Sequence, residues 1–470
     1  MSGTTGAPAL ADVVAVVLRN DLPWAGEFET SSGDVNQLER NIRWGQRDNF
    51  GAVPTDCPQR DERLGWTADI QVFLPTAAYN ADVYSFMERW MRDVRYAQTP
   101  GGSFPDVAPK ITILTEGAPA WGDPGGIIPW HLHRVYGDIR VLEKSWDSMR
   151  RRIDFLETNN PELVWRRRFG NYYGAWLQLG VETPRDLIAT AYFFQSTHLV
   201  ARTAAVLGLT AEAKHYGDLA ARIAAAFRAE FVGADGRLTG DTQPAYLLAL
   251  KFDVVPEARP QFAEHLVRTV EERGVSLTTG FVGVPLLCPV LSDIGRDDLA
   301  YRLLERDGYP SWLYSVRQGA TTVWERWDGL TPEHAFQAAK MNSFNHNCLG
   351  SVGEWMYEYA AGIGQDAESA GYSRLRIAPR IEGTLAKVSA SYETPRGRVS
   401  SSWVRDGDEI ALTVEVPPGN PATVVLPFAL ECALLDDSPL EPGRVTVLDS
   451  GPDFAELSVP AGSYRFRGRR

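Results

Sequence analysis

Residues 56–69 read Asp56-Cys57-Pro58-Gln59-Arg60-Asp61-Glu62-Arg63-Leu64-Gly65-Trp66-Thr67-Ala68-Asp69. Four carboxylates, two arginines and a tryptophan stand together just before an apolar run of helical character. Pro58 limits where a helix can begin, and Gly65 argues against one unbroken helix. The first half therefore reads as a loop or a short helical turn. Thr67 is the expected N-cap of a helix carrying Asp69, Val72, Phe73 and Ala77. Such a loop can aim several carboxylates inward together. One beside Arg60 or Arg63 keeps its charge, whereas one held against Trp66 in an apolar pocket has its pKa raised. Glu62 and Trp66 are four apart, so a local helical turn brings them together. On this reading Arg60 and Arg63 hold Asp56 and Asp61 ionised and leave Glu62 with the proton. One neutral acid beside ionised ones is what glycosidic cleavage uses. The same residues also suit a solvated, salt-bridged turn, and the composition of the stretch does not separate the two.

Outward from this stretch the chain is mainly helical. Val35, Leu38 and Ile42 repeat at helical spacing upstream, with Asp34 as the expected cap. Downstream, helical patterns run over 69–78, 83–96, 128–136, 142–158, 187–207, 212–231, 244–252, 261–273, 281–294, 299–307 and 346–361. Helices joined this way can pair into hairpins and close into a ring, with the chemistry on loops at one end. Periodicity alone does not separate that ring from an α-solenoid. After Asp366 the pattern changes to short alternating runs over 375–378, 386–392, 397–404, 409–416, 422–426 and 454–459. Turns such as Pro417-Pro418-Gly419-Asn420 separate them, and the whole reads as an antiparallel β-sandwich. Val13–Leu18 is a β-branched run and reads as a strand. A lone strand is unstable, so it is expected to pair with the C-terminal sandwich or another chain. The expected organisation is a lead-in and strand over 1–29, a helical catalytic domain over 30–365, and a β-sandwich over 366–470.

Composition narrows the partners. The 470 residues carry a net charge of -13, which disfavours nucleic acid and anionic membrane surfaces. No run reaches the length of a membrane span. Four scattered cysteines show no CxxC pair and seven histidines no ligand spacing, so neither metal nor cofactor is expected. A reducing cytoplasm fits those cysteines, and residues 1–11 show no signal-peptide pattern. The 14 tryptophans are many for one chain; their faces stack on sugars, although tryptophan also fills cores. The oligomeric state stays open, a homo-oligomer included.

The stretch TDCPQRDERLGWTAD, residues 55–69, resembles the signature of glycoside hydrolase family 78, the α-L-rhamnosidases. Similar blocks follow at Trp121-Gly122-Asp123, Ile128-Pro129-Trp130, residues 277–281 (LTTGF), residues 319–329 (GATTVWERWDG), residues 342–346 (NSFNH) and Val352-Gly353-Glu354-Trp355. In order and spacing they cover most of residues 25–385. The resemblance implies an (α/α)6 barrel whose loop-lined mouth holds the pocket.

It also implies roles. Glu62 matches the general acid and Glu325 the second carboxylate, which in an inverting family activates water. Asp56, Arg60 and Asp69 match positions that bind sugar hydroxyls, with structural salt bridges as the competing reading. Trp66, Trp121 and Trp176 match aromatic walls, which suit the C6 methyl of a 6-deoxy sugar, and His346 matches a pocket histidine. Trp327, beside Glu325, is placed with the pocket walls. Ala175 stands where the family pattern often has Asp, so weak binding of simple rhamnosides is expected, with Ala175→Asp lowering KM. The substrate implied is a carbohydrate or glycoside. A related barrel hydrolase for another sugar and a non-catalytic carbohydrate-binding remnant remain alternatives.

Overall fold

The computed structural model describes residues 9–110, 117–166, 172–419, 421–440 and 443–470. Most of the expected lead-in, residues 1–8, and the turn residue Asn420 lie outside them. The helices are α1 (Gly33–Asn49), α2 (Thr67–Asn80), α3 (Tyr84–Tyr96), α4 (Pro124–Tyr136), α5 (Arg140–Asn159), α6 (Arg185–Val206), α7 (Thr210–Phe231), α8 (Gln243–Phe252), α9 (Arg259–Glu271), α10 (Val284–Asp293), α11 (Asp297–Leu304), α12 (Trp312–Arg317) and α13 (Val352–Trp355).

Burial sorts these helices into two rings. In α2 thirteen of the fourteen residues are buried. In α7 only Tyr216, Leu219, Ala220, Ile223, Phe227 and Phe231 are, at the spacing of one helical face. A helix buried all round lies inside; one with a single apolar stripe lies outside. The inner contacts run α2, α4, α6, α8, α10, α13 and back to α2, which closes the ring. Helices α5, α7, α9 and α11 each fold back on the inner helix before them. A solenoid, the alternative left open by periodicity, would not close.

Several helix starts differ from expectation. Trp66, not Thr67, occupies the cap position of α2, without a side-chain cap. The Thr67 hydroxyl instead donates to the carbonyls of Asp106 and Trp121. Helix α1 is capped by Ser32, which accepts from the Val35 N–H, rather than by Asp34. The helix expected from His346 begins later. The His346 N–H donates to the Val323 carbonyl at 2.8 Å, so helical geometry starts only with the 3-10 turn Cys348–Ser351.

Among the described residues the strands form two large sheets and one two-stranded ribbon, Leu330–Thr331 with Ala335–Phe336. One has seven strands, ordered Gly26–Thr30, Lys387–Thr394, Gly397–Asp406, Glu409–Val416, Gly462–Arg469, Leu434–Leu435 and Ser438–Pro439, all antiparallel. The other has five, ordered Thr446–Ser450, Ala455–Val459, Ala422–Leu426, Leu375–Ile377 and Ile363–Gln365, with a single parallel pair between 375–377 and 422–426. The strand expected at Val13–Leu18 is not formed: these residues are exposed and pair with no sheet. Gly26–Thr30 holds the sheet edge in its place, burying Gly26, Phe28 and Thr30 in alternation. The expected boundary at 29/30 therefore cuts through this strand. Phe28 packs on Tyr357 with ring centroids 5.5 Å apart, and Trp403 donates its indole N–H to the Ala360 carbonyl. One continuous core thus joins the sheets to the last inner segment of the ring.

Candidate active site

A cavity opens where the inner helices begin. Asp69 lies in the first turn of α2, and Trp121, Trp176 and Phe281 precede α4, α6 and α10. Glu325 and His346 sit on the loops before α13. All of them line the cavity, with Asp56, Arg60, Glu62, Trp66, Tyr173 and Met341. Its free space is about 30 Å³.

Arg60 is the central contact. Its Nη1 and Nη2 donate to Glu325 Oε2 and Oε1 at 2.8 and 3.0 Å, a bidentate fork. Its Nε donates to Glu62 Oε2 at 2.8 Å. One guanidinium thus joins two glutamates separated by 263 positions. The expected local sorting does not hold: Arg60 approaches Asp56 only to 3.7 Å, and Arg63 meets Asp61 at 3.6 Å in solvent. Trp66 meets Glu62 with its indole N–H, 2.8 Å from Oε1, rather than with an apolar face. Glu62 thus accepts at both oxygens, from Arg60 at Oε2 and from Trp66 at Oε1.

Glu325 is also held by its own loop. The Ser343 N–H donates to Oε2 at 2.7 Å, and the Glu325 N–H to the Ser343 carbonyl. Burial pushes the Glu325 carboxyl up, but the Arg60 and Ser343 hydrogen bonds outweigh it and leave the pKa below its ordinary value. Glu325 is therefore a carboxylate at neutral pH. The neighbouring acids behave oppositely. Burial lifts Asp56 to about 6, against hydrogen bonds from Cys57 and the Leu64 N–H. Burial also raises Asp69 well above the usual carboxylate range, with Asp56 adding to it.

His346 is neutral, its pKa lowered to about 4 by burial. Nδ1 accepts from the backbone N–H groups of Asn347 and Cys348, which puts the proton on Nε2, 3.5 Å from Asp69 Oδ1. Asp69, His346 and Cys348 bring donor atoms within 4.8 Å of one another. A metal there would need Nε2 without its proton, and two N–H groups aimed at Nδ1 oppose that tautomer. These residues suit hydrogen bonding better than metal ligation.

Residues 23–360 match the bacterial alpha-L-rhamnosidase 6 hairpin glycosidase domain, and residues 362–431 its C-terminal domain. The chain belongs to the bacterial α-L-rhamnosidase family. It is 45% identical over 472 residues to an α-L-rhamnosidase of Streptomyces avermitilis, covering 99% of this chain and 44% of that one. It is 41% identical over 468 residues to one of Formosa agariphila, covering 97% and 50%. The crystal structure of the Streptomyces avermitilis α-L-rhamnosidase complexed with L-rhamnose superposes with a TM-score of 0.91 at 43% identity, over 96% of this chain and 43% of that one. An α-L-rhamnosidase structure from Dictyoglumus thermophilum gives 0.91 at 31% identity, over 100% and 53%. The chain spans about half the length of the curated relatives it matches.

In this α-L-rhamnosidase family member nine of the ten residues singled out from the sequence line one cavity. Trp327 does not. It is buried, donates its N–H to the Thr279 carbonyl and packs edge-on against Trp312. It anchors the loop that carries Glu325. Ala175 is buried in the core beside Trp176 and is not among the residues that line the cavity. Tyr173, Phe281 and Met341 line the cavity without having been singled out. Phe281 belongs to the LTTGF block, so the sequence carries a signal for it. Tyr173 stands three positions before Trp176, but its other partners, Trp66, Trp121 and Asp106, are remote in sequence.

Proposed function

We propose that this chain hydrolyses terminal α-L-rhamnosides with inversion, Glu62 acting as general acid and Glu325 as general base. The observation that carries the reading is the Arg60 bridge, which gathers two glutamates from separate loops onto one cavity. Glycosidic hydrolysis needs two such carboxyl groups, one to protonate the leaving oxygen and one to activate water. The lowered pKa keeps Glu325 ionised, the form that a general base needs. Arrival of the sugar would draw Arg60 off Glu62 and free Oε2 to face the glycosidic oxygen. Asp56, Asp69 and the His346 Nε2–H are placed to bind hydroxyls, and the aromatic rings to cover the apolar side. An inverting enzyme leaves room for water, so the two carboxyl groups should stand roughly 6.5–9.5 Å apart with substrate bound. The curated relatives named as α-L-rhamnosidases, and the one crystallised with L-rhamnose, support the same sugar.

Substitution tests the roles. Each acid–base step is worth about 10²–10⁴-fold, so Glu62→Gln and Glu325→Gln should both nearly abolish turnover. Acidic phenols leave with little protonation. Glu62→Gln should therefore keep more activity on aryl than on alkyl rhamnosides, while Glu325→Gln should be equally poor on both. A Glu325→Gln variant of unimpaired rate would remove that residue from the mechanism.

A further inference from the structure

We propose that Tyr173 selects the 6-deoxy sugar, its ring closing the apolar slot that takes the C6 methyl. The inference rests on the rhamnoside reading above and adds to it the residue that sets selectivity. Among the described residues, Tyr173 is the ring in contact with all three tryptophans of the cavity. Its centroid lies 4.2 Å from Trp121, 5.5 Å from Trp176 and 5.8 Å from Trp66, the last two edge-on.

Two polar handles of this wall are already taken by carboxylates. The Tyr173 hydroxyl donates to Asp106 Oδ2 at 3.0 Å, and Asp106 is fully buried. The Trp66 N–H is held by Glu62 at 2.8 Å. The Asp106 carbonyl also accepts from the N–H and hydroxyl of Thr67, so the loop that fixes Tyr173 fixes the start of α2 and hence Asp69. With its hydroxyl tied to Asp106, Tyr173 offers the cavity its ring carbons. L-Rhamnose is L-mannose without the C6 hydroxyl. The methyl gains contact in such a slot, whereas a C6 hydroxyl loses water and finds no partner.

The test compares p-nitrophenyl α-L-rhamnoside with p-nitrophenyl α-L-mannoside. Wild type should prefer the rhamnoside by roughly 100-fold in kcat/KM. Tyr173→Ala opens the slot and should cut that preference by about tenfold or more. Tyr173→Phe keeps the ring and should keep the preference while losing the tie to Asp106. The ratio is taken on one preparation, so any unfolded fraction cancels. Calorimetry with free L-rhamnose and L-mannose on the same variants reads the same preference without turnover. A Tyr173→Ala preference equal to wild type, in turnover or in binding, overturns the proposal. A wild type that binds L-rhamnose selectively but hydrolyses neither glycoside refutes the catalytic reading instead, and the binding ratio still decides for Tyr173. A wild type that binds neither sugar overturns both.

Discussion

Arg60 holds both glutamates, so its removal should be felt at each. Glu325 must be ionised to act as base, so the rate should fall as pH drops through its pKa. Arg60 is what keeps that pKa down despite burial. Arg60→Met should therefore lower kcat/KM by roughly 100-fold and move the acid limb of its pH profile to higher pH. Arg60→Lys restores charge without the fork and should fall between. An acid limb that does not move would separate Arg60 from Glu325. Asp56 gives a second, independent pH effect. Its folded pKa of about 6 lies above the ordinary 3.8, so the folded state holds the extra proton between those values. Stability should then fall as pH rises from about 4 to about 6, by on the order of 3 kcal/mol from this group. Urea unfolding across that range should show the slope flattened in Asp56→Asn. The glutamates were legible because a motif carried each. The partner of Arg60 was not, because local spacing offers only Asp56, Asp61 and Glu62, whereas the fold brings Glu325 from a distant loop. Tyr173 was missed because, apart from Trp176, its partners Trp66, Trp121 and Asp106 also come from distant segments.

At the scale of elements, loops position the site, and some tolerate no side chain. A Cβ on Gly280 would lie 1.9 Å from the Trp176 carbonyl oxygen and 2.3 Å from that of Ala175. Both are backbone atoms, and the Phe281 N–H already pairs with Trp176 across this contact. Gly280→Ala should push the Tyr173–Trp176 turn out of place. We expect a loss of about 1–3 kcal/mol in stability, with a fall in kcat/KM beyond what the melt explains. Ala175→Asp, expected from family pattern to help binding, would instead bury a charge and should lower the melting temperature rather than KM. The helices were read well because burial on one face leaves a period in the sequence. The last inner helix was misplaced at its start, because nothing local reveals that the His346 N–H is taken by Val323. Helix α12, only six residues long, leaves too little period to register.

Across the whole molecule, one short strand fastens the ring to the sheets. Val13–Leu18 has the stronger β composition, yet Gly26–Thr30 pairs with Lys387–Thr394. Propensity describes a run of residues; pairing depends on which segment reaches the free edge, and that is set by where α1 begins. Deleting residues 1–18 should leave the melting temperature unchanged, because among the described residues they bury almost nothing. Phe28→Ala should cost about 3–5 kcal/mol, because Phe28 is buried against Tyr357. The central claim, that Glu62 and Glu325 work across the cavity by direct attack of water, is tested by the first-formed sugar. Hydrolysis of p-nitrophenyl α-L-rhamnoside followed by proton NMR in its first minutes should show β-L-rhamnose, with the α anomer growing in only by mutarotation. α-L-Rhamnose as the initial product would contradict the account.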